Sequence, residues 1–311
     1  MELAEIPVLS LERDKDVLPA ELGASFRRYG FAMVRDHGID PGLIARAWDL
    51  TEQFFALPAE EKQRYHIAGS GGARGYTPFR TEVAKGASVS DLKEFWHVGR
   101  DLTPGHPLAP TMPPNVWPER PEGFRETFTE LYHAFDTVGV QLLRAIAVNL
   151  GLPETWFDPT VDDGNSVMRL LHYPPVIENQ DGAIRAGAHE DINLITLLLG
   201  AQEAGLELLG RNGEWLSIAP PEGAMVVNIG DMLQRLTNDV LPSTTHRVRN
   251  PSGERARYSR YSMPFFVHLR SDFVFETLPQ CISADSPDRY PERITADDYL
   301  QERLLEIGLK S

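Results

Sequence analysis

Residues Ala186–Gly200 read AGAHEDINLITLLLG, an apolar strand candidate with His189 and Asp191 at its entry. Side chains alternate between the two faces of a strand, so His189 and Asp191 are expected on one face and Glu190 on the other. The segment therefore predicts a β-strand whose entry carries two candidate metal ligands on the same side.

This segment lies among short apolar runs that are separated by turns and begin at Val167. Runs of this length and spacing are typical of a β-sandwich or barrel, and they disfavour a parallel sheet that alternates with helices. The strand candidates are Val167–Tyr173, Asn193–Leu199, Leu206–Leu209, Trp215–Ile218, Met225–Ile229, Thr244–Val248, Tyr258–Val267 and Phe273–Phe275.

Helical spacing of apolar residues dominates the first half of the chain. The helix candidates are Asp16–Arg28, Pro41–Ala56 and Gly123–Leu150, with a strand candidate at Phe31–Val34, long Gly- and Pro-rich loops over Gly69–Pro118 and a last helix at Ala296–Ile307. We expect an α+β fold with a mainly β core and flanking, mostly N-terminal helices. Residues 1–311 are expected to form one domain, with a mostly helical region and substrate loops over 1–150 and the β-core with its C-terminal helix over 151–311.

The charge balance restricts the partners of this 311-residue chain, which has a formal net charge of −15. Such a charge opposes binding to nucleic-acid phosphates and to anionic membranes, so a small-molecule substrate is favoured. The N-terminus lacks a basic region followed by an apolar run, and no stretch is long enough to span a membrane, which predicts a cytoplasmic location. The sequence leaves the oligomeric state open.

A metal site in this chain must be built from His and carboxylate, because Cys281 is its only cysteine. His246 is the third candidate ligand, since it follows a turn-prone Pro-Ser pair and lies in a strand candidate of the same β-rich half. Two imidazoles and one carboxylate on one side of a metal form the facial triad of non-haem Fe(II) oxygenases. A zinc hydrolase can use similar ligands. The other histidines lack this arrangement and are predicted to be structural or superficial: His37, His66, His97, His106, His133, His172 and His268.

A second candidate site is the run RYSRYSMPFFV, Arg257–Val267. Arg260 and Ser262 share one face of this strand candidate and can together bind a carboxylate. Arg257 has the opposite parity, and we prefer Arg260 because the apolar part of the strand follows it directly. The alternative for both arginines is a solvated ion pair.

Taken together, these motifs resemble the isopenicillin N synthase-like branch of the 2-oxoglutarate/Fe(II)-dependent oxygenases. The resemblance covers nearly the whole chain and rests on ordered motifs: IPVLSL (Ile6–Leu11), FRRYGFAMVRDHGI (Phe26–Ile39), HYPP (His172–Pro175), HEDINLITLL (His189–Leu198), NIGDMLQRLTN (Asn228–Asn238), STTHRV (Ser243–Val248) and RYSMPFF (Arg260–Phe266). It implies a double-stranded β-helix, or jelly roll.

The resemblance also implies roles for residues. His189, Asp191 and His246 would bind iron, Arg260 and Ser262 the distal carboxylate of 2-oxoglutarate, and Tyr173 its metal-proximal end. Loops on a rigid core often carry specificity, so Gly72–Glu82, Asp91–Arg100 and the strand end at Phe266 are the predicted substrate-binding elements. The candidate contacts are Arg74, Tyr76, Arg80, Trp96 and Phe266. The alternatives are surface ion pairs for the arginines and core packing for the aromatic residues.

We therefore expect a dioxygenase that uses Fe(II), 2-oxoglutarate and O2 to oxidise, most simply to hydroxylate, a small organic molecule. One alternative is an isopenicillin N synthase-like oxidase that needs no 2-oxoglutarate. The other is a non-catalytic jelly-roll protein that binds a metal or a ligand. The identity of the substrate is not encoded in any motif.

Overall fold

Two β-sheets face each other, and strand alternation decides which side chains lie between them. The computed structural model describes residues 4–14, 16–83, 89–176, 182–199 and 205–306. The strands are β1 (Val8–Ser10), β2 (Phe31–Arg35), β3 (Gly75–Thr77), β4 (Glu94–Gly99), β5 (Val167–Tyr173), β6 (Ala186–His189), β7 (Ile195–Leu199), β8 (Leu206–Leu209), β9 (Trp215–Ser217), β10 (Met225–Ile229), β11 (His246–Val248) and β12 (Arg260–Val267).

The larger sheet has eight strands in the order β1-β2-β10-β7-β12-β5-β4-β3, and the smaller has four in the order β6-β11-β8-β9. Neighbouring strands pair antiparallel except for β1 and β2. Two antiparallel sheets packed in this way form a jelly roll. The predicted fold class is confirmed.

The N-terminal helices and the long central helix cover the outer face of the larger sheet, whereas the last helix reaches the space between the sheets. The longer helices are α1 (Leu18–Tyr29), α2 (Pro41–Phe55), α4 (Phe124–Asn149) and α7 (Ala296–Glu306), and the shorter ones are α3 (Ala59–Gln63), α5 (Asp158–Val161) and α6 (Asp231–Leu236). The ring of Phe135 on α4 stacks on that of Phe265 on β12 at 5.2 Å. Gly139 allows the close approach, because a Cβ there would lie 2.8 Å from a methyl group of Val267. No helix among the described residues combines the length and apolar character needed to cross a bilayer.

The buried apolar side chains form two clusters on opposite faces of the larger sheet. One lies between this sheet and the helices and includes Phe54, Trp96 and Phe265. The other lies between the two sheets and includes Phe31 and Leu171. The space between the sheets is only partly filled, and the remaining cavity holds the site described below.

Most predicted strands match the structure, and β5, β8 and β10 have the predicted bounds. The prediction of a strand at Phe273–Phe275 was wrong, because only an isolated bridge joins Val274 to Thr295 there. The predicted end of the last helix, Ile307, lies outside the described residues.

The segment Gly69–Pro118 was predicted as loops, but it contributes β3 and β4 to the larger sheet. Apolar periodicity is weak in β4 because Glu94 and His97 interrupt it, although all six residues of the strand are buried. These polar residues are buried because they pair with other polar groups, which no local pattern reveals.

Candidate active site

His189, Asp191 and His246 converge at one end of the space between the sheets. Their potential ligand atoms all lie within 4.8 Å of one another. The Nε2 atoms of both histidines are 3.8 Å from Oδ1 of Asp191, and the two imidazole rings are 4.4 Å apart. Three donor atoms at this spacing can bind one metal ion on one side of its coordination sphere.

The strand pairing explains how residues distant in sequence meet. His189 is the last residue of β6 and His246 the first of β11, and the two are register partners. The spacing of His189 and Asp191 had suggested that both lie on one strand. Asp191 instead follows β6, in the connection to β7. The turn between these strands, rather than strand parity, brings the carboxylate beside the imidazoles.

Hydrogen bonds to the backbone orient both imidazoles. Nδ1 of His189 lies 2.7 Å from the carbonyl of Gly187, and Nδ1 of His246 lies 3.1 Å from that of Thr244. A carbonyl accepts only, so each Nδ1 carries the proton and each Nε2 presents a lone pair. Burial and the neighbouring His246 lower the pKa of His189 to about 4, so its ring is neutral near pH 7.

Two side chains hold the carboxylate of Asp191. Oδ2 accepts hydrogen bonds from the hydroxyl of Thr196 at 2.5 Å and from Nδ2 of Asn228 at 2.8 Å. Burial opposes ionisation of Asp191, but the two histidines and these hydrogen bonds outweigh it and lower its pKa. Oδ1 therefore remains directed towards the histidines. Two imidazoles and one anionic carboxylate are a donor set that fits Fe(II).

The triad lies in the wall of a cavity of about 870 Å³ between the sheets. Arg260, Ser262, Tyr173 and Phe266 also line this cavity. Arg260 and Ser262 are each 3% exposed, and the guanidinium of Arg260 lies 5.1 Å from the ring of Tyr173. Arg257, by contrast, is exposed in a 3-10 turn before β12. Arg260 and Ser262 therefore lie on one face of β12, whereas Arg257 precedes the strand.

Of the four N-terminal residues predicted to contact the substrate, only Arg74 lines the cavity. Arg80 is exposed. Trp96 packs between Phe54 and Phe124 on the helix side of the sheet, and the Tyr76 hydroxyl bonds to Glu94. The prediction therefore needs correction for Arg80, Tyr76 and Trp96, because β3 and β4 were not recognised and their two faces could not be separated.

The sequence did not indicate a buried network of charges in the same cavity. Lys93 Nζ lies 2.5 Å from Glu82 and 2.8 Å from Asp91, and Arg169 lies 3.3 Å from Glu82. Burial opposes the ionisation of both Glu82 and Lys93, yet their charged partners outweigh it, lowering the pKa of Glu82 and raising that of Lys93. The only signal in the sequence for this network is that charged residues lie among apolar ones in the segment around Phe95.

This network reaches the metal ligands through one strand. Asp91 Oδ1 accepts a hydrogen bond from the amide of Gly187 at 2.9 Å, and the carbonyl of Gly187 accepts from His189. On the other side, Arg169 Nε donates to Nε2 of His97 at 2.6 Å. The buried charges therefore fix the position of β6.

Comparisons with known proteins agree with this fold. Residues 6–120 match the family model described as the N-terminal region of non-haem dioxygenases in morphine synthesis, and residues 164–269 match that of the 2OG-Fe(II) oxygenase superfamily. The 2-oxoglutarate-Fe(II) type oxidoreductase hxnY of Emericella nidulans is 36% identical over 88% of this chain and 79% of its own length.

Two solved structures are also similar. A protein from Caulobacter crescentus described as a 2OG-Fe(II) oxygenase family member is 54% identical, with a TM-score of 0.90 over 97% of this chain and 99% of its own. A full-length Neurospora crassa protein, solved in complex with alpha-KG and thymine, is 31% identical, with a TM-score of 0.84 over 96% of each chain.

A jelly roll with a two-histidine, one-carboxylate cluster facing an internal cavity defines a non-haem iron oxygenase. The chain belongs to the 2-oxoglutarate-Fe(II) oxygenase superfamily. It is a dioxygenase that uses Fe(II) and 2-oxoglutarate to oxidise a small organic molecule.

Proposed function

We propose that His189, Asp191 and His246 hold the Fe(II) of this dioxygenase and that Arg260 and Ser262 bind the distal carboxylate of 2-oxoglutarate. The observation that carries the proposal is the convergence of three oriented donor atoms at the wall of a cavity that Arg260 and Ser262 also line. In this assignment Tyr173 contacts the co-substrate at its metal-proximal end. The remaining cavity takes the organic substrate, which the enzyme hydroxylates.

Bound iron and 2-oxoglutarate supply the oxidising power: one atom of O2 enters a substrate C–H bond, and the other enters succinate as CO2 leaves. The chain contributes orientation and charge. The Gly187 and Thr244 carbonyls keep Nδ1 of the histidines protonated, so that each Nε2 lone pair is available to the metal. The buried guanidinium of Arg260 offers paired N–H donors that match a carboxylate.

Substrate selection in this proposal belongs to the part of the cavity away from Arg260. Phe266 and Val167 give it an apolar wall, and Arg74 and Arg169 add polar edges. A pocket of about 870 Å³ lined in this way suits a small molecule better than a polymer. The absence of nucleic-acid partners and the cytoplasmic location stay predictions from the sequence.

Anaerobic addition of Fe(II) and then 2-oxoglutarate to the metal-free protein tests the proposal. We expect a weak visible charge-transfer band that appears only with both ligands, and no band in His189→Ala. Metal analysis should find about one iron per chain in the wild type and loss of iron in the variant. Full iron occupancy in His189→Ala would contradict the ligand assignment.

The same experiment separates the proposal from the two alternatives. A 2-oxoglutarate-independent oxidase would bind iron but neither develop the band nor consume the keto acid. A non-catalytic protein would bind ligands without releasing succinate in the presence of O2. The similarity to the Neurospora crassa protein, which was solved with alpha-KG, supports the keto-acid-dependent reaction.

A further inference from the structure

Arg74 is a buried cation, and two of its three guanidinium nitrogens have no hydrogen-bond partner within the described part of the protein. Its side chain is 2% exposed and lines the cavity. Nη1 donates to the carbonyl of Ala73 at 2.7 Å, whereas Nε and Nη2 are buried without a hydrogen-bond partner. A buried guanidinium nitrogen without a hydrogen-bond partner is costly, and in native proteins a ligand or an ordered water usually supplies that partner.

Three other cations of the cavity differ from Arg74 because each forms an ion pair. Lys93, Arg169 and Arg303 lie 2.5, 3.3 and 2.6 Å from carboxylate oxygens. Arg74 forms no such ion pair with a described carboxylate. Burial lowers the pKa of its guanidinium, and Tyr132 and Asp101 only partly offset this effect. A guanidinium nevertheless stays protonated at neutral pH, so the cavity contains a positive charge that its own residues leave without an adjacent anion.

Strand β4 leaves space for this guanidinium at Gly99. Arg74 lies against Gly99, where a Cβ would overlap Cζ of the guanidinium, so only glycine leaves the space. Gly99 belongs to the same face of the strand as His97, which also lines the cavity. The unused atoms, Nε and Nη2, form one edge of the guanidinium plane, and that edge can bind both oxygens of a carboxylate.

The strand register gives the distance between Gly99 and the triad. Gly99 pairs with Val167, Val167 with Phe266, and Phe266 with Thr196, whose hydroxyl bonds to Asp191. Gly99 and Thr196 are thus three strand spacings apart, or about 14 Å. The side chains between them, Val167 and Phe266, are apolar.

We propose that the substrate is an organic acid whose carboxylate binds the Nε–Nη2 edge of Arg74 while its apolar body lies along Val167 and Phe266. This inference rests on the proposed function, because the triad must carry out the oxidation. Because Gly99 and Thr196 are about 14 Å apart, the oxidised carbon is expected to lie several bonds away from this carboxylate.

The test compares phenylalkanoates, from benzoate to 6-phenylhexanoate, with their primary amides. Succinate release is measured with Fe(II), 2-oxoglutarate and O2 for the wild type, Arg74→Gln and Arg74→Lys. At the best chain length, the wild type should have kcat/KM about tenfold or more higher for the acid than for the amide. Arg74→Gln should remove this preference, mainly through KM, and Arg74→Lys should keep part of it.

Arg64→Gln is the matched control, since Arg64 is an exposed arginine of the same N-terminal region, and it should keep the full acid preference. The melting temperature of Arg74→Gln should be equal to or above that of the wild type, because an unpaired buried charge is removed. A clear fall would assign Arg74 a structural role and overturn the inference.

Further outcomes against the inference are equal use of acid and amide by the wild type, an acid preference that persists in Arg74→Gln, or no stimulation by any acid. In each case the charge-transfer band of the wild type reports on the proposed function separately. A band without acid preference sinks only the organic-acid inference. Absence of the band sinks the proposed function itself.

Discussion

Single side chains in the site owe their roles to what restrains them, and Asp191 is the clearest case. Its Oδ2 is held by Thr196 and Asn228, which belong to two neighbouring strands of the larger sheet. Residues that orient metal ligands in this way affect metal affinity although they do not touch the metal. The triad was found from sequence, but these two partners were not, since nothing in their spacing marks them.

Asn228→Ala should weaken Fe(II) binding by about 10- to 100-fold, because Asp191 loses a hydrogen bond that favours its charged form and fixes its rotamer. Calorimetry of Fe(II) binding under anaerobic conditions measures the change. Asn238→Ala, which removes another buried asparagine that is not in the site, serves as the control. Equal affinities for the wild type and Asn228→Ala would show that Thr196 alone orients the carboxylate.

Arg260→Gln and Arg257→Gln form a matched pair three residues apart. Loss of charge-assisted hydrogen bonds costs about 1.5–3 kcal/mol, so Arg260→Gln should raise the Kd of 2-oxoglutarate by about 10- to 100-fold. Arg257 is exposed, and its replacement should leave the Kd unchanged. Titration of the charge-transfer band gives both values, and the reverse order would refute the assignment of Arg260.

Among the secondary-structure elements, a strand could be predicted only where its own sequence shows an apolar run. β5, β8 and β10 have apolar runs bounded by turns, and their limits could be read directly. β6 has the sequence AGAH, which shows no apolar run, and it forms a strand because it pairs with β11. β4 contains polar residues that are typical of a solvated loop, but it is buried because these residues pair with other polar groups. Since the strand was not predicted, the faces of the sheet on which Tyr76 and Trp96 lie could not be predicted either.

The charge network beside β4 should stabilise the fold as a unit. Lys93→Met leaves two buried carboxylates with one fewer cation and should lower the free energy of unfolding by about 3 kcal/mol. Chemical denaturation measures this value. The double variant Lys93→Met with Glu82→Gln should recover part of the loss, because one of the uncompensated charges is gone. No recovery would mean that the network does not act through Glu82.

For the whole molecule, buried histidines couple stability to pH. Burial lowers the pKa of His268 to about 4, compared with about 6.5 in the unfolded chain. Between these values the unfolded chain binds a proton that the folded protein does not, so stability falls as the pH is lowered through this range. The folded state has its full stability from this group only above about pH 6.5.

His268→Asn removes this titration. Between pH 7 and pH 5 the wild type should lose about 2 kcal/mol more stability than the variant, as follows from the two pKa values. Denaturation of the metal-free proteins at both pH values measures the difference without a contribution from iron loss. Parallel losses in the two proteins would mean that His268 titrates normally when folded.

The position of β6 at the edge of the smaller sheet has a consequence for the stability of that edge. β6 is the outermost strand of the smaller sheet and pairs only with β11 within the described residues. Terminal strands of this kind open locally more often than the rest of a protein. A metal ion bound by His189, His246 and Asp191 would join this edge to its neighbour and, through Thr196 and Asn228, to the opposite sheet. Bound iron would then cross-link β6 to β11 and to the larger sheet. Loss of the iron would allow this edge of the jelly roll to open locally, at the place where the substrate is oxidised.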